Sequence, residues 1–219
     1  MIILDVRTRR RSLYALLLSE TVEEDGAKFD DSGLLLIDRT AFDETGLKSG
    51  CEIDDEQLSE LIGKSAYYRA RERALYYLSN RDYAEKEMSD KLRREFGHKA
   101  AERAAARMVE LGLIDDERYA FRYAEVMLNV KVWSPSRAVR ELTLKGIDRD
   151  TAEQAVSAAG RDARDLIREL IDKKYAALLA SGDKKAVSRV INALARKGYS
   201  FSDIRSVISD YCDGDGFYD

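Results

Sequence analysis

A basic residue, a glycine and an apolar residue recur along this chain as Lys145-Gly146-Ile147 and Lys197-Gly198-Tyr199, with a weaker copy at Phe96-Gly97. Between the glycines lie intervals of 49 and 52 residues. A period near 50 predicts one small helical unit used several times, with an extended surface rather than a single deep pocket.

The flanking apolar residues show what the unit is. Overlaid on their glycines, the last two copies match without a gap. Leu142, Val139 and Ala138 stand against Leu194, Ile191 and Val190 on the N-terminal side. On the C-terminal side Ala152, Ala155, Val156 and Ala159 stand against Ile204, Val207, Ile208 and Tyr211. These are i, i+3, i+4 stripes of two helices packed across one turn. The first copy fits only with offsets, one residue before its glycine (Leu92, Met88) and about two after it (Ala101, Ala104, Ala105, Met108).

Nine helices follow from this pattern, in three trios. Ser65–Ser79, Tyr83–Phe96 and His98–Leu111 form the first, and Asp116–Val130, Ser134–Leu144 and Arg149–Ala158 the second. Arg161–Ala180, Lys184–Arg196 and Phe201–Tyr211 form the third. Ser134 before Pro135, the only proline, reads as an N-cap, as do Asp148, Asp183 and Ser200 with Asp203.

Residues 1–63 differ. Short apolar stretches at Ile2–Val6, Leu13–Leu18 and Gly33–Ile37, separated by turn-rich acidic segments, predict two to four strands and a short helix near Glu56–Ile62. The expected fold is mainly α, three tandem three-helix repeats in an elongated curved array after a small β-rich subdomain. The expected divisions are 1–63 (acidic, β-rich), 64–112, 113–159 and 160–212 (the repeats) and 213–219 (an acidic tail).

Charge is distributed unevenly. Residues 1–63 carry 7 Lys/Arg against 15 Asp/Glu, while residues 64–209 carry 30 against 22. A basic body suits a polyanion or an acidic protein face. With two cysteines and one histidine, a disulfide framework or a His/Cys zinc site has little to draw on. No cofactor is expected. Walker, GxGxxG, HExxH and GxSxG motifs are lacking, which points away from the corresponding enzymes. No apolar run reaches the length of a membrane span, and a cytoplasmic monomer is the expectation.

The overlay also pairs cations. Arg137 matches Arg189 and Lys145 matches Lys197, and residues eight apart on a helix lie about 80 degrees from one another. Glu141 lies between the first pair as an ion-pair ladder, whereas Ala193 lies between the second. The candidate contact residues are therefore Arg137, Lys145, Lys184, Lys185, Arg189, Arg196 and Lys197, with Arg189 and Lys197 foremost; a solvated helix surface is the competing use. Lys91, Arg93, Arg94, Arg103 and Arg107 alternate with acids, and Arg9–Arg11 reads as a turn between strands. The tyrosine pairs 67/68, 76/77 and 119/123 read as packing, and Trp133 as an anchor of the second repeat.

GLIDDERYAFRYAEVML (Gly112–Leu128), with ALYYLSNRDYAEKEMSDKLRREFG (Ala74–Gly97) and ELTLKGID (Glu141–Asp148), resembles the RecX family over residues 64–212. The resemblance implies three tandem three-helix repeats and binding to the RecA nucleoprotein filament. It also implies inhibition of ATP hydrolysis, strand exchange and filament growth, in recombinational repair and the SOS response, with only weak binding to single-stranded DNA alone. It carries over no catalytic residues. The alternative from the residues is a stand-alone DNA-binding helix-turn-helix repeat protein.

Overall fold

The computed structural model describes residues 1–9, 12–180 and 183–211. Cys212, the acidic tail and Arg10–Arg11 lie outside the described residues. Two compact units divide the chain, Met1–Asp115 and Asp116–Asp219.

In the first unit, β1 (Ile3–Thr8), β2 (Leu13–Leu18) and β3 (Leu35–Asp38) form an antiparallel sheet in that order. Register is set by Val6 opposite Leu16 and by Leu16 opposite Leu35, with a bulge between Ile3 and Asp5. The buried face carries Ile3, Leu16, Leu35 and Ile37. A three-stranded sheet this short needs a partner for that face. Helix α1 (Arg39–Asp43), capped by Asp38, supplies Phe42. Helix α2 (Asp55–Leu78), opened by an Asp54/Gln57 capping box, supplies Leu58, Leu61 and Ile62.

Helix α2 corrects the expected boundary at 63/64 and the expected pair of separate helices. It runs unbroken for 24 residues. Its apolar stripe continues in phase from Leu58, Leu61 and Ile62 to Ala66, Ala70 and Ala74, so both halves are anchored. Gly63 in its middle costs about 1 kcal/mol relative to alanine, too little to break a helix buried along its length. The second half packs with α3 (Glu85–Phe96) and α4 (His98–Glu110) around Met88, Leu92, Ala101, Ala104, Ala105 and Met108.

The second unit starts with α5 (Asp116–Glu125), which ends in a π turn over Val126–Val130. Helices α6 (Pro135–Leu144) and α7 (Arg149–Ala158) complete that trio, burying Ala120, Ala124, Ala138, Leu142, Ala152, Ala155 and Val156. Helix α8 (Ala163–Leu170), a π turn (Ile171–Tyr175) and α9 (Ala176–Ala180) together occupy the predicted long helix. Helices α10 (Lys184–Arg196) and α11 (Phe201–Ile208) close the last trio around Val190, Leu194, Ile204, Val207 and Ile208. The expected caps all form: Ser134 accepts from Arg137 N, Asp148 from Thr151 N, Asp183 from Lys185 N and Ser200 from Asp203 N.

The repeated glycine ends the second helix of each trio, and its geometry accounts for the offset of the first copy. In the second and third trios a lysine caps the helix and glycine follows with φ of 97° at Gly146 and 92° at Gly198. The next apolar N–H then reaches back five residues, Ile147 to Leu142 O and Tyr199 to Leu194 O, the bond that defines a Schellman cap. A further polar residue caps the next helix. In the first trio Gly97 alone ends α3 and begins α4, with φ 78° and ψ 169°. Helix α3 therefore ends one residue nearer its glycine than α6 and α10 do, and α4 begins two residues nearer than α7 and α11.

Candidate functional site

The predicted cations separate into two groups. Lys184, Lys185, Arg189 and Arg196 are exposed on α10, and among the described residues their side chains form no ion pair. They leave positive charge along this helix, whose N-cap Asp183 is the carboxylate next to Lys184. Arg137, Lys145 and Lys197 are half-buried and engaged. Arg137 stacks 3.8 Å from the Trp133 ring, donates from Nη1 to the Arg196 carbonyl at 2.7 Å, and lies 3.6 Å from Glu141. The Arg137 side of the predicted ladder is thus present. Lys145 approaches the rings of Tyr119 and Tyr123 at 5.9 and 5.7 Å.

Lys197, foremost among the expected contacts, is drawn inward. Its Nζ donates to the Lys131 carbonyl at 2.5 Å. Burial, followed by the charges of Lys174 and Arg137, holds its ammonium below the usual lysine value. It belongs to a joint between the second and third trios.

That joint is built from the connection between the π turn of α5 and helix α6. Ser134 N donates to the Lys197 carbonyl at 3.1 Å and Ser134 Oγ to the Gly198 carbonyl at 2.7 Å, while the same hydroxyl caps α6. Tyr199 donates its hydroxyl to the Val132 carbonyl at 3.1 Å. Burial pushes the Tyr199 phenol above the usual tyrosine range. Val132 itself, 8% exposed, has φ 49°, a left-handed conformation that a β-branched side chain disfavours. Strain of this kind costs about 1–3 kcal/mol and persists where the surroundings over-determine it. Here the surroundings are Lys197, Gly198 and Tyr199. Trp133 as an anchor and Lys197 as a candidate cation are legible in residue type, whereas the strained Val132 leaves no signal there.

Gly198 is obligatory at the joint for a second reason. A Cβ there would lie 2.7 Å from Arg137 Cβ and 2.7 Å from Ser134 Oγ.

Several of the other basic and aromatic residues are engaged locally, whereas Arg93 and Arg94 are exposed. Lys91 lies 4.3 Å from the Tyr77 ring, Arg103 4.8 Å from Tyr67, and Arg107 pairs with Glu110 at 2.7 Å. Tyr119 and Tyr123 stack at 5.9 Å. Arg9 pairs with Asp30 at 2.8 Å, and His98 lies 3.4 Å from Glu102 on α4. Among the described residues no group of three or more His, Cys, Asp or Glu is arranged to hold a metal ion. None of the described helices is long and apolar enough to cross a membrane.

Three family models match consecutive parts of the chain: the first three-helix domain of RecX at residues 70–108, the second at 115–156 and the third at 162–208. The chain is 28% identical over 181 residues to the regulatory protein RecX of Clostridioides difficile (strain 630), covering 82% of this chain and 85% of that one. It is 30% identical over 161 residues to the regulatory protein RecX of Salmonella paratyphi A (strain ATCC 9150 / SARB42), covering 68% and 96%. Its fold is similar to a crystal structure of regulatory protein RecX, with a TM-score of 0.56 at 20% identity over 94% of this chain and 98% of that one. Three-helix domains in the same order, each with a glycine turn between its second and third helices, place this chain in the RecX family of regulatory proteins.

Proposed function

We propose that this protein binds the RecA nucleoprotein filament and restrains its ATPase, strand exchange and growth. The observation that carries this reading is the match of all three RecX domains in order along one chain. The protein works by binding rather than by catalysis, as a cytoplasmic monomer, and holds single-stranded DNA weakly when alone. Lys184, Lys185, Arg189 and Arg196 are its contact residues, because they are the predicted cations left exposed without an ion pair among the described residues. The test is RecA ATPase on single-stranded DNA with substoichiometric protein. Hydrolysis should fall, and the fourfold alanine variant at those positions should need at least about tenfold more protein, the loss of a few charge-assisted contacts. Unchanged hydrolysis and filament length with the wild type would overturn the reading.

The same exposed row supports a second reading, a DNA-binding repeat protein that needs no RecA. Neutralising about four phosphates would give tight binding with a log-log salt slope near −3 to −4. Weak, salt-insensitive DNA binding in the absence of RecA would dispose of it.

A further inference from the structure

The joint holds more positive charge than its own contacts require. Lys197 uses one of its three N–H donors on the Lys131 carbonyl. Arg137 uses Nη1 on the Arg196 carbonyl, and its buried Nε has no partner within hydrogen-bond distance, Glu141 standing 3.6 Å away. Lys131 Nζ lies 5.1 Å from the Trp133 ring on which Arg137 stacks at 3.8 Å. The cations are Lys131, Arg137 and Lys197. Glu141 is the one carboxylate that the described residues pair with any of them, and it also faces Arg140 at 3.9 Å.

Like charges gathered around a strained connection oppose its closure unless an anion joins them. Donors arriving from several elements suit a tetrahedral oxyanion of charge near −2 better than a planar carboxylate of charge −1. We propose that a phosphate group binds beside Trp133 among Lys131, Arg137 and Lys197, and that its binding locks the second three-helix domain to the third. The site is independent of the RecA reading, since the joint is built wholly from this chain.

Trp133 is the only tryptophan, so intrinsic fluorescence reports on the site directly. Pyrophosphate, titrated into the full-length protein with ionic strength held constant by sodium chloride, should change Trp133 emission saturably and raise the thermal midpoint. The Lys197→Met and Lys131→Ala variants should weaken the response roughly tenfold each, the loss of one charge-assisted contact. Lys131 is exposed, so its variant stays informative where Lys197→Met fails to fold. The Lys184→Ala/Lys185→Ala variant, at the far end of α10, should respond as the wild type does. Short oligothymidylate that competes with pyrophosphate would identify nucleic-acid phosphate as an occupant, and absence of competition would identify free phosphate. A linear, unsaturable change in the wild type, or an equal response from Lys131→Ala, would overturn the site.

Discussion

The turns at Gly97 and Gly198 occupy the same place in their trios and each receives a neighbouring element, yet the seats are constructed differently. At Gly198 the neighbour is the start of α6, and it meets the turn through backbone and Cβ atoms: Ser134 Oγ on the Gly198 carbonyl, Arg137 Cβ where a glycine side chain would be. At Gly97 the neighbour is Asp25-Gly26, and what fills the space is the Asp25 carboxylate, 2.8 Å from the position a Cβ would take. Helix α4 has no side-chain cap of its own and no acid in its first turn. A carboxylate at that end complements the helix dipole. One seat is steric and rigid, the other electrostatic and adjustable, which shows that a repeated sequence signal preserves the turn without preserving what docks on it.

The sharpest way to break this comparison is Gly198→Ala against Gly97→Ala, measured by denaturant unfolding. Both place a side chain at positive φ. At Gly198 the backbone strain is joined by contacts that cannot swing aside, and the expected cost is about 4 kcal/mol. At Gly97 the Asp25 carboxylate can rotate away, leaving about 2 kcal/mol of strain. Equal costs would remove the distinction. Next is Ser134→Ala, which deletes a buried cap and the bond to Gly198 together, at about 2 kcal/mol.

Tyr199→Phe should cost about 1 kcal/mol through the orphaned Val132 carbonyl. It also carries a pH signature. The folded state favours the neutral phenol, so stability from Tyr199 is complete below the unfolded value near about 10 and declines as pH rises above it. The phenylalanine variant should lose less stability between pH 10 and 11, and an identical slope would contradict the burial argument. The smallest effect belongs to Asp25→Asn, about 0.5 kcal/mol and weakened further by salt, because the carboxylate is exposed.

The trios, the strands and the caps were legible because each rests on local rules: apolar period, polar residues at helix starts, glycine at helix ends. Arg149–Ala158 and Lys184–Arg196 form over the predicted spans for that reason. What was not legible came from tertiary structure. The break expected at Gly63 did not occur because the sheet buries Leu58, Leu61 and Ile62 and holds the helix straight through. Pairing Lys197 with Arg189 by angle alone missed the Lys131 carbonyl, 66 residues away in sequence. Arg189 and Arg196 are exposed, and residue type gives no hint that Arg137 lies over Trp133.

Helix α2 spans two hydrophobic cores, the sheet core through Leu58, Leu61 and Ile62 and the three-helix core through Ala66, Ala70 and Ala74. Truncation at residue 63 would therefore amputate a helix rather than detach a module, exposing Phe42's partners and removing the Arg69 bond to the Gly26 carbonyl at 3.1 Å. Neither core can melt without fraying the rod they share. Residues 1–115 should behave as one cooperative folding unit, with the hydrogen-bonded amide protons of α2 between Leu58 and Ala74 exchanging at a common, slow rate.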